Sequence, residues 1–215
     1  MSAHQLGEFV LVIGDLNIPH REIEIPDKFK DLLLPNKMQY VLCPGNFGSK
    51  ETMEWLQSLG SAKSNSHFVK GDFDEVTTLP ETKTVQIGNF KIGLIHGHQV
   101  VPWGDLESLS SVQRELDCDI LVSGQTHKNQ ISTYDGKYFI NPGSATGCYS
   151  ALNSSSTASF ILMAVQGDNV TAFIYETKGE DFNVSRIDFT KNGESHKVEA
   201  EVKPSEETKD DDDDE

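Results

Sequence analysis

The chain has 215 residues, 36% of them hydrophobic, and a formal charge of -16, enough to bury one substantial core and to favour one domain with a tail over two domains. The charge is uneven: from Glu194 to Glu215, eleven acidic side chains face three lysines. Neither part carries a basic stripe with interleaved aromatics, which disfavours sequence-independent binding to nucleic acid or to anionic lipid heads.

Residues 1–8 read as an N-terminal extension without the basic and apolar regions of a signal peptide. Phe9-Val10-Leu11-Val12-Ile13 is an apolar run closed by Gly14, a buried central strand. Pro26 precedes a helix over 27–34, with Phe29, Leu32 and Leu33 on one face and Pro35 as its stop. A strand follows over 38–42. Ser49 then opens a helix carrying Met53, Leu56 and Leu59, which Gly60 ends. His67-Phe68-Val69 leads into the next polar cluster.

The rhythm changes in the second half. Residues 84–87 and 90–95 flank Gly88-Asn89, a hairpin signal, and a helix over 106–116 precedes a strand over 120–122. Asp135-Gly136 between 131–134 and 138–141 supplies the positive φ of a tight turn. A further hairpin turns at Gly167-Asp168, and 184–189 is the last expected strand. From residue 192 large apolar side chains are scarce, so 192–215 is expected to be a disordered acidic tail. Strand–helix alternation followed by hairpins predicts an α/β sandwich of two mixed sheets with helices outside, over 9–191. Three separated cysteines without C-x-x-C spacing suit a reducing compartment, and no apolar run reaches the roughly 18–20 residues that span a bilayer.

Six polar clusters fall mostly at the ends of these strands: Gly14-Asp15-Leu16-Asn17, Gly45-Asn46, Gly71-Asp72-Phe73-Asp74, His96-Gly97-His98, Gly124-Gln125-Thr126-His127 and Asn141-Pro142-Gly143-Ser144. Divalent ions need oxygen and imidazole donors converging from several loops, which strand ends provide. In order and spacing the clusters resemble the calcineurin-like metallophosphoesterases, whose blocks run D-x-H, G-D, G-N-H-D/E, H and G-H-x-H on a four-layer sandwich of two mixed sheets flanked by helices. The resemblance places Asp15, Asn17, Asn46, Asp72, His96, Gln125 and His127 at the ligand positions. Asn17 and Gln125 stand where histidines belong, Asn46 replaces the bridging aspartate, Asp72 the asparagine, and Phe73 the catalytic histidine. A neutral Asn46 cannot offset the repulsion of two ions, and Phe73 cannot protonate a leaving group, a role worth roughly 10²–10⁴ in rate. The implied site is degenerate: no catalytic residue, no required cofactor, and at most one weakly held Zn or Mn ion. His98 reads either as a ligand or as a strand-end histidine bonding backbone, and His67 as a surface residue.

Segments 14–21 (GDLNIPHR), 71–75 (GDFDE), 92–105 (IGLIHGHQVVPWGD) and 139–147 (FINPGSATG) further resemble the retromer small-subunit family. That resemblance implies a non-catalytic scaffold of the endosome-to-Golgi and recycling coat, cytoplasmic and peripheral on endosomes through the complex. The implied partner is the C-terminal part of the helical-solenoid subunit, vacuolar protein sorting protein 35, docked on Val100, Val101, Pro102 and Trp103. A second patch, Leu33, Leu162, Phe173 and Tyr175, matches a landing site for regulators with short hydrophobic motifs, although these four also read as core. The alternative is a weak metal-dependent phosphodiesterase.

Overall fold

The computed structural model describes residues 7–153, 157–179, 181–191, 193 and 196–198. In β1 (Glu8–Val12) alternate side chains face opposite ways, and both faces are covered, which is why the run is apolar throughout. Val10 and Val12 pack in a cluster with Ile92, Leu94, Ile120 and Val122. Leu11 and Ile13 join a second cluster with Phe29, Leu56 and Leu59.

Around β1 a seven-stranded sheet is built from β2 (Tyr40–Cys43), β3 (Ser66–Phe68), β9 (Ser159–Gln166), β10 (Asn169–Lys178), β11 (Asp181–Thr190) and β12 (His196–Val198), in the order β12-β11-β10-β9-β1-β2-β3. β1, β2 and β3 run parallel, while β9 pairs antiparallel with β1. The second sheet comprises β4 (Thr82–Ile87), β5 (Phe90–Ile95), β6 (Ile120–Val122), β7 (Asn129–Tyr134) and β8 (Lys137–Pro142), ordered β4-β5-β6-β8-β7. It is also mixed: β5, β6 and β8 are parallel, with antiparallel β4 and β7 at its edges. Helices α1 (Asp27–Leu32) and α2 (Lys50–Leu59) supply Phe29, Leu56 and Leu59 to the outer face of the first sheet. α3 (Leu106–Leu116) covers the second sheet through Leu109, against Leu121 and Phe139. The expected four layers are therefore present.

Local chemistry places the ends. Ser49 caps α2 by accepting the Thr52 amide at 3.2 Å; Ser49→Ala is expected to cost about 1 kcal/mol in urea unfolding. Asp135 and Gly136 both take positive φ, as the β7–β8 turn requires.

Several boundaries differ from the sequence reading. α1 stops at Leu32 because the next residue, Leu33, leaves helical backbone with ψ of 69°, although its amide still makes the last helical bond to the Phe29 carbonyl; Leu32 is left exposed and Leu33 buried. β2 starts at Tyr40, since Met38 instead makes an isolated bridge with Gly60. His67, read as a surface residue, is half-buried and stacks on Tyr40. Glu8, assigned to the extension, opens β1; residues 1–6 lie outside the described residues. Most of 192–215 also lies outside them, but His196–Val198 forms β12 on the edge of β11, within the stretch expected to be disordered. An edge strand's free amides and carbonyls favour such an addition. Among the described residues no helix is long and apolar enough to cross a membrane.

Candidate functional site

The polar clusters at the ends of β1, β2, β3, β5 and β6 meet at one end of the two sheets. Asp15 is buried there at 0% exposure. Its Oδ1 lies 3.1 Å from His96 Nε2 and 3.9 Å from His127 Nε2, and its Oδ2 accepts the Gln125 amide at 2.8 Å. Gly124 permits this approach, because a Cβ there would stand 2.8 Å from Asp15 Oδ2. Asp15, Asn17, Asn46, Gln125 and His127 all have positive φ, five of the eight non-glycine residues that do so among the described residues. Such backbone is costly for most side chains and persists where surrounding contacts impose it.

The contacts that impose it are largely backbone ones. Asn17 donates its amide to the Asn46 carbonyl at 2.7 Å, and Asp15 donates to the Gly45 carbonyl at 3.1 Å. Asp74 holds the second and third loops together: Oδ2 accepts from the Asn46 and Gly71 amides at 2.9 and 2.7 Å, and Oδ1 from the Gly48 amide at 2.8 Å. Ser144 Oγ donates to the Asp15 carbonyl at 2.7 Å, so the segment after β8 buttresses the first loop.

The side chains at the implied ligand positions divide into two groups. In the first, Asn17 turns its Nδ2 to the Cys148 sulfur at 3.2 Å, while its buried Oδ1 has no hydrogen-bond partner. His127 Nδ1 lies 2.9 Å from the Cys148 carbonyl oxygen and 3.3 Å from its sulfur. Burial opposes a proton on His127, but the Cys148 sulfur and the Asp15 carboxylate outweigh it and push the imidazole up to about 9.

In the second group, Asn46 Nδ2 donates to Asp72 Oδ1 at 2.9 Å, and Asn46 Oδ1 accepts the Phe73 amide at 3.0 Å. Both ends of that carboxamide are therefore engaged. His96 Nδ1 faces His98 Nδ1 and Asp72. Burial and the neighbouring His96 lower the His98 pKa, favouring its neutral, ligating form. Gln125 reaches the site through its backbone amide. Phe73 is 47% exposed, with the Arg21 guanidinium 4.9 Å from its ring centre.

A calcineurin-like phosphoesterase superfamily domain matches residues 9–168. Vacuolar protein sorting-associated protein 29 of Schizosaccharomyces pombe is 39% identical over 186 residues, which cover 85% of this chain and 98% of that protein. The chain belongs to the Vps29 family. A Vps29 crystal structure from Entamoeba histolytica, solved with zinc, shares 48% identity and a TM-score of 0.78 over 84% of this chain and 98% of that one. Vps29 of Chaetomium thermophilum, solved with a cyclic peptide, shares 33% identity and a TM-score of 0.74 over 86% and 97% of the two chains.

The surfaces expected of the Vps29 family need two corrections. In the loop between β5 and α3, Val101 is 77% and Trp103 45% exposed, and Pro102 is exposed between them. Val100 is buried with Ile95, Leu109 and Phe139, so it anchors the loop from below and leaves the tip to the next three residues. Leu33 likewise lies in the core beneath α1. Leu162, Phe173 and Tyr175 instead line a pocket of about 300 Å³ with Phe9 and Met38.

Three residues absent from the expected ligand set also shape this site: Asp74, His98 and Cys148. Asp74 was legible as the second carboxylate of Gly71-Asp72-Phe73-Asp74. Cys148 lies just beyond a quoted block, and its role depends on a contact across 131 residues with Asn17, for which local sequence carries no signal.

Proposed function

We propose that this chain is a non-catalytic scaffold subunit of a retromer-type sorting coat. Its Val101-Pro102-Trp103 tip docks against the C-terminal part of the helical-solenoid subunit, vacuolar protein sorting protein 35. The observation carrying this reading is the tip itself: two large apolar side chains held in solvent on a loop rooted by Val100. Aromatic and aliphatic anchors of that kind dominate the energetics of protein interfaces. The chain then reaches the cytosolic face of endosomes through the complex, with no lipid contact of its own.

The pocket lined by Leu162, Phe173 and Tyr175 receives regulators carrying short hydrophobic motifs, a reading supported by the cyclic peptide bound to the Chaetomium relative. Absence of chemistry follows from residue types. Asn46 supplies no bridging charge, and Phe73 supplies no proton. The scaffold role requires no metal, although zinc or manganese can reach the remaining donors.

In pull-downs from cytosolic extract, Val101→Asp is expected to weaken capture of the solenoid subunit by about 2–3 kcal/mol while the melting temperature is unchanged. Capture at wild-type level would remove the tip from the interface. Turnover of a generic aryl phosphodiester that Asp15→Ala abolishes would overturn the non-catalytic assignment.

A further inference from the structure

The second sheet carries a cavity on the face turned away from the first. Strand alternation sends Ile120, Val122, Tyr138 and Ile140 into the core between the sheets, and Leu121, Ser123, Phe139 and Asn141 to the opposite face. The register sets Leu121 beside Phe139 and Phe139 beside Ser132; two residues further along, Asn141 lies beside Gln130. Leu109 of α3 packs with Leu121 and Phe139. The polar row beyond them lines a cavity of about 310 Å³, walled by Leu106, Trp103 and Leu152 and reached by Lys128. Trp103 and Leu152 are 45% and 56% exposed, so the space opens to solvent at its rim.

The polar groups of this cavity are unevenly used. Asn141 Nδ2 donates to the Gly124 carbonyl and to Thr126 Oγ1, and its Oδ1 accepts the Gly143 amide. Gln130 Nε2 donates to Ser132 Oγ at 2.6 Å. Ser123 is only 6% exposed, yet its hydroxyl meets no hydrogen-bond partner among the described residues. A buried hydroxyl without a partner costs stability and calls for a reason. Lys128 pairs with no carboxylate among the described residues, and no acidic side chain lines the cavity, in a chain whose formal charge is -16. The two unspent groups, a hydroxyl and an ammonium, are both donors.

We propose that this cavity binds a small apolar carboxylate, a ring or branched hydrocarbon lying on Leu106, Leu109 and Phe139 with its carboxylate oxygens held by the Ser123 hydroxyl and the Lys128 ammonium. The volume is that of a small-ligand site, apolar in most of its lining with a few polar groups that fix orientation. Hydrogen bonds to an ionised acceptor are roughly twice as strong as neutral ones, which favours an acid over an alcohol of the same shape. An amine would face the Lys128 charge, and a bare hydrocarbon would leave both donors unpaired. The site lies outside the strand-end clusters and stands independently of the docking reading above.

The test titrates the full isotope-labelled chain with phenylpropionate, phenylpropanol and phenylpropylamine, three molecules of one shape with different head groups. The two indole N–H resonances are the readout, since Trp103 walls the cavity and Trp55 lies on α2 against the other sheet. The acid is expected to move the Trp103 resonance saturably, half-complete at or below about 1 mM, and to leave Trp55 in place. The alcohol should bind about threefold more weakly, and the amine more weakly still. Lys128→Gln should weaken the acid by about three- to fivefold and leave the alcohol unchanged. Ser123→Ala should weaken the acid by about threefold or more while the melting temperature holds or rises, because the hydroxyl it removes has no partner in the free chain. No Trp103 shift at about ten times that acid concentration, equal shifts at both indoles, amine binding as tight as the acid, or wild-type acid binding by both variants would each overturn the assignment. Binding is read on the free chain, so none of these outcomes alters the Val101→Asp pull-down.

Discussion

Asp74→Ala is expected to lower the unfolding free energy by about 3–5 kcal/mol, the largest loss among single substitutions around the site. The carboxylate accepts the amides of Asn46, Gly48 and Gly71, all in a region closed to solvent. Removing it orphans three buried donors at once, each costing about 1–3 kcal/mol. The loops have little room to rearrange around the gap: Asn46 already holds positive φ, and a Cβ on Gly71 would stand 2.1 Å from Asn46 Oδ1. Asp74→Asn keeps one acceptor oxygen and should lose less than alanine does. Urea unfolding of both variants provides the check, and a loss below about 1 kcal/mol for alanine would show that the loops hold their shape without this carboxylate.

Phe160→Ala is expected to cost about 3–5 kcal/mol as well, by a different route. Phe160 is fully buried, meets Phe29 edge-on with ring centres 4.7 Å apart, and stacks on Tyr175 at 4.7 Å and 8°. Truncation opens a cavity between α1 and the first sheet that these rigid rings close only partly. It also removes the ring supporting Tyr175 from below, so the pocket shared with Leu162 and Phe173 loses a wall. Denaturant unfolding reports the first effect, and weaker binding of a short hydrophobic peptide reports the second. A folded variant with unchanged peptide affinity would show that Tyr175 keeps its position without the stack.

Both substitutions lie at positions whose residue type was readable before their role was. The strand at Phe9, the helix opened by Ser49 and the turn at Asp135-Gly136 follow from local preference and alternation, since each depends on residues only a few positions apart. The order of the polar clusters was readable for the same reason, because each terminates its own strand. Side-chain direction was not. Val100 and Val101 are adjacent and chemically identical, yet one is buried and the other 77% exposed, because Ile95, Leu109 and Phe139 close over only the first.

The sequence by itself determined the sheet-forming runs, the positions of the loops between them and the presence of Asn46 and Phe73 where the family resemblance places a carboxylate and a histidine. Those properties reside in residue type and short-range spacing. Only the tertiary structure decided that Asp74 ties three loops together, that Cys148 lies against Asn17 and His127, and that His96 turns its Nδ1 to His98 and Asp72. These are contacts between strand ends far apart along the chain, and their geometry is set by how the two sheets pack.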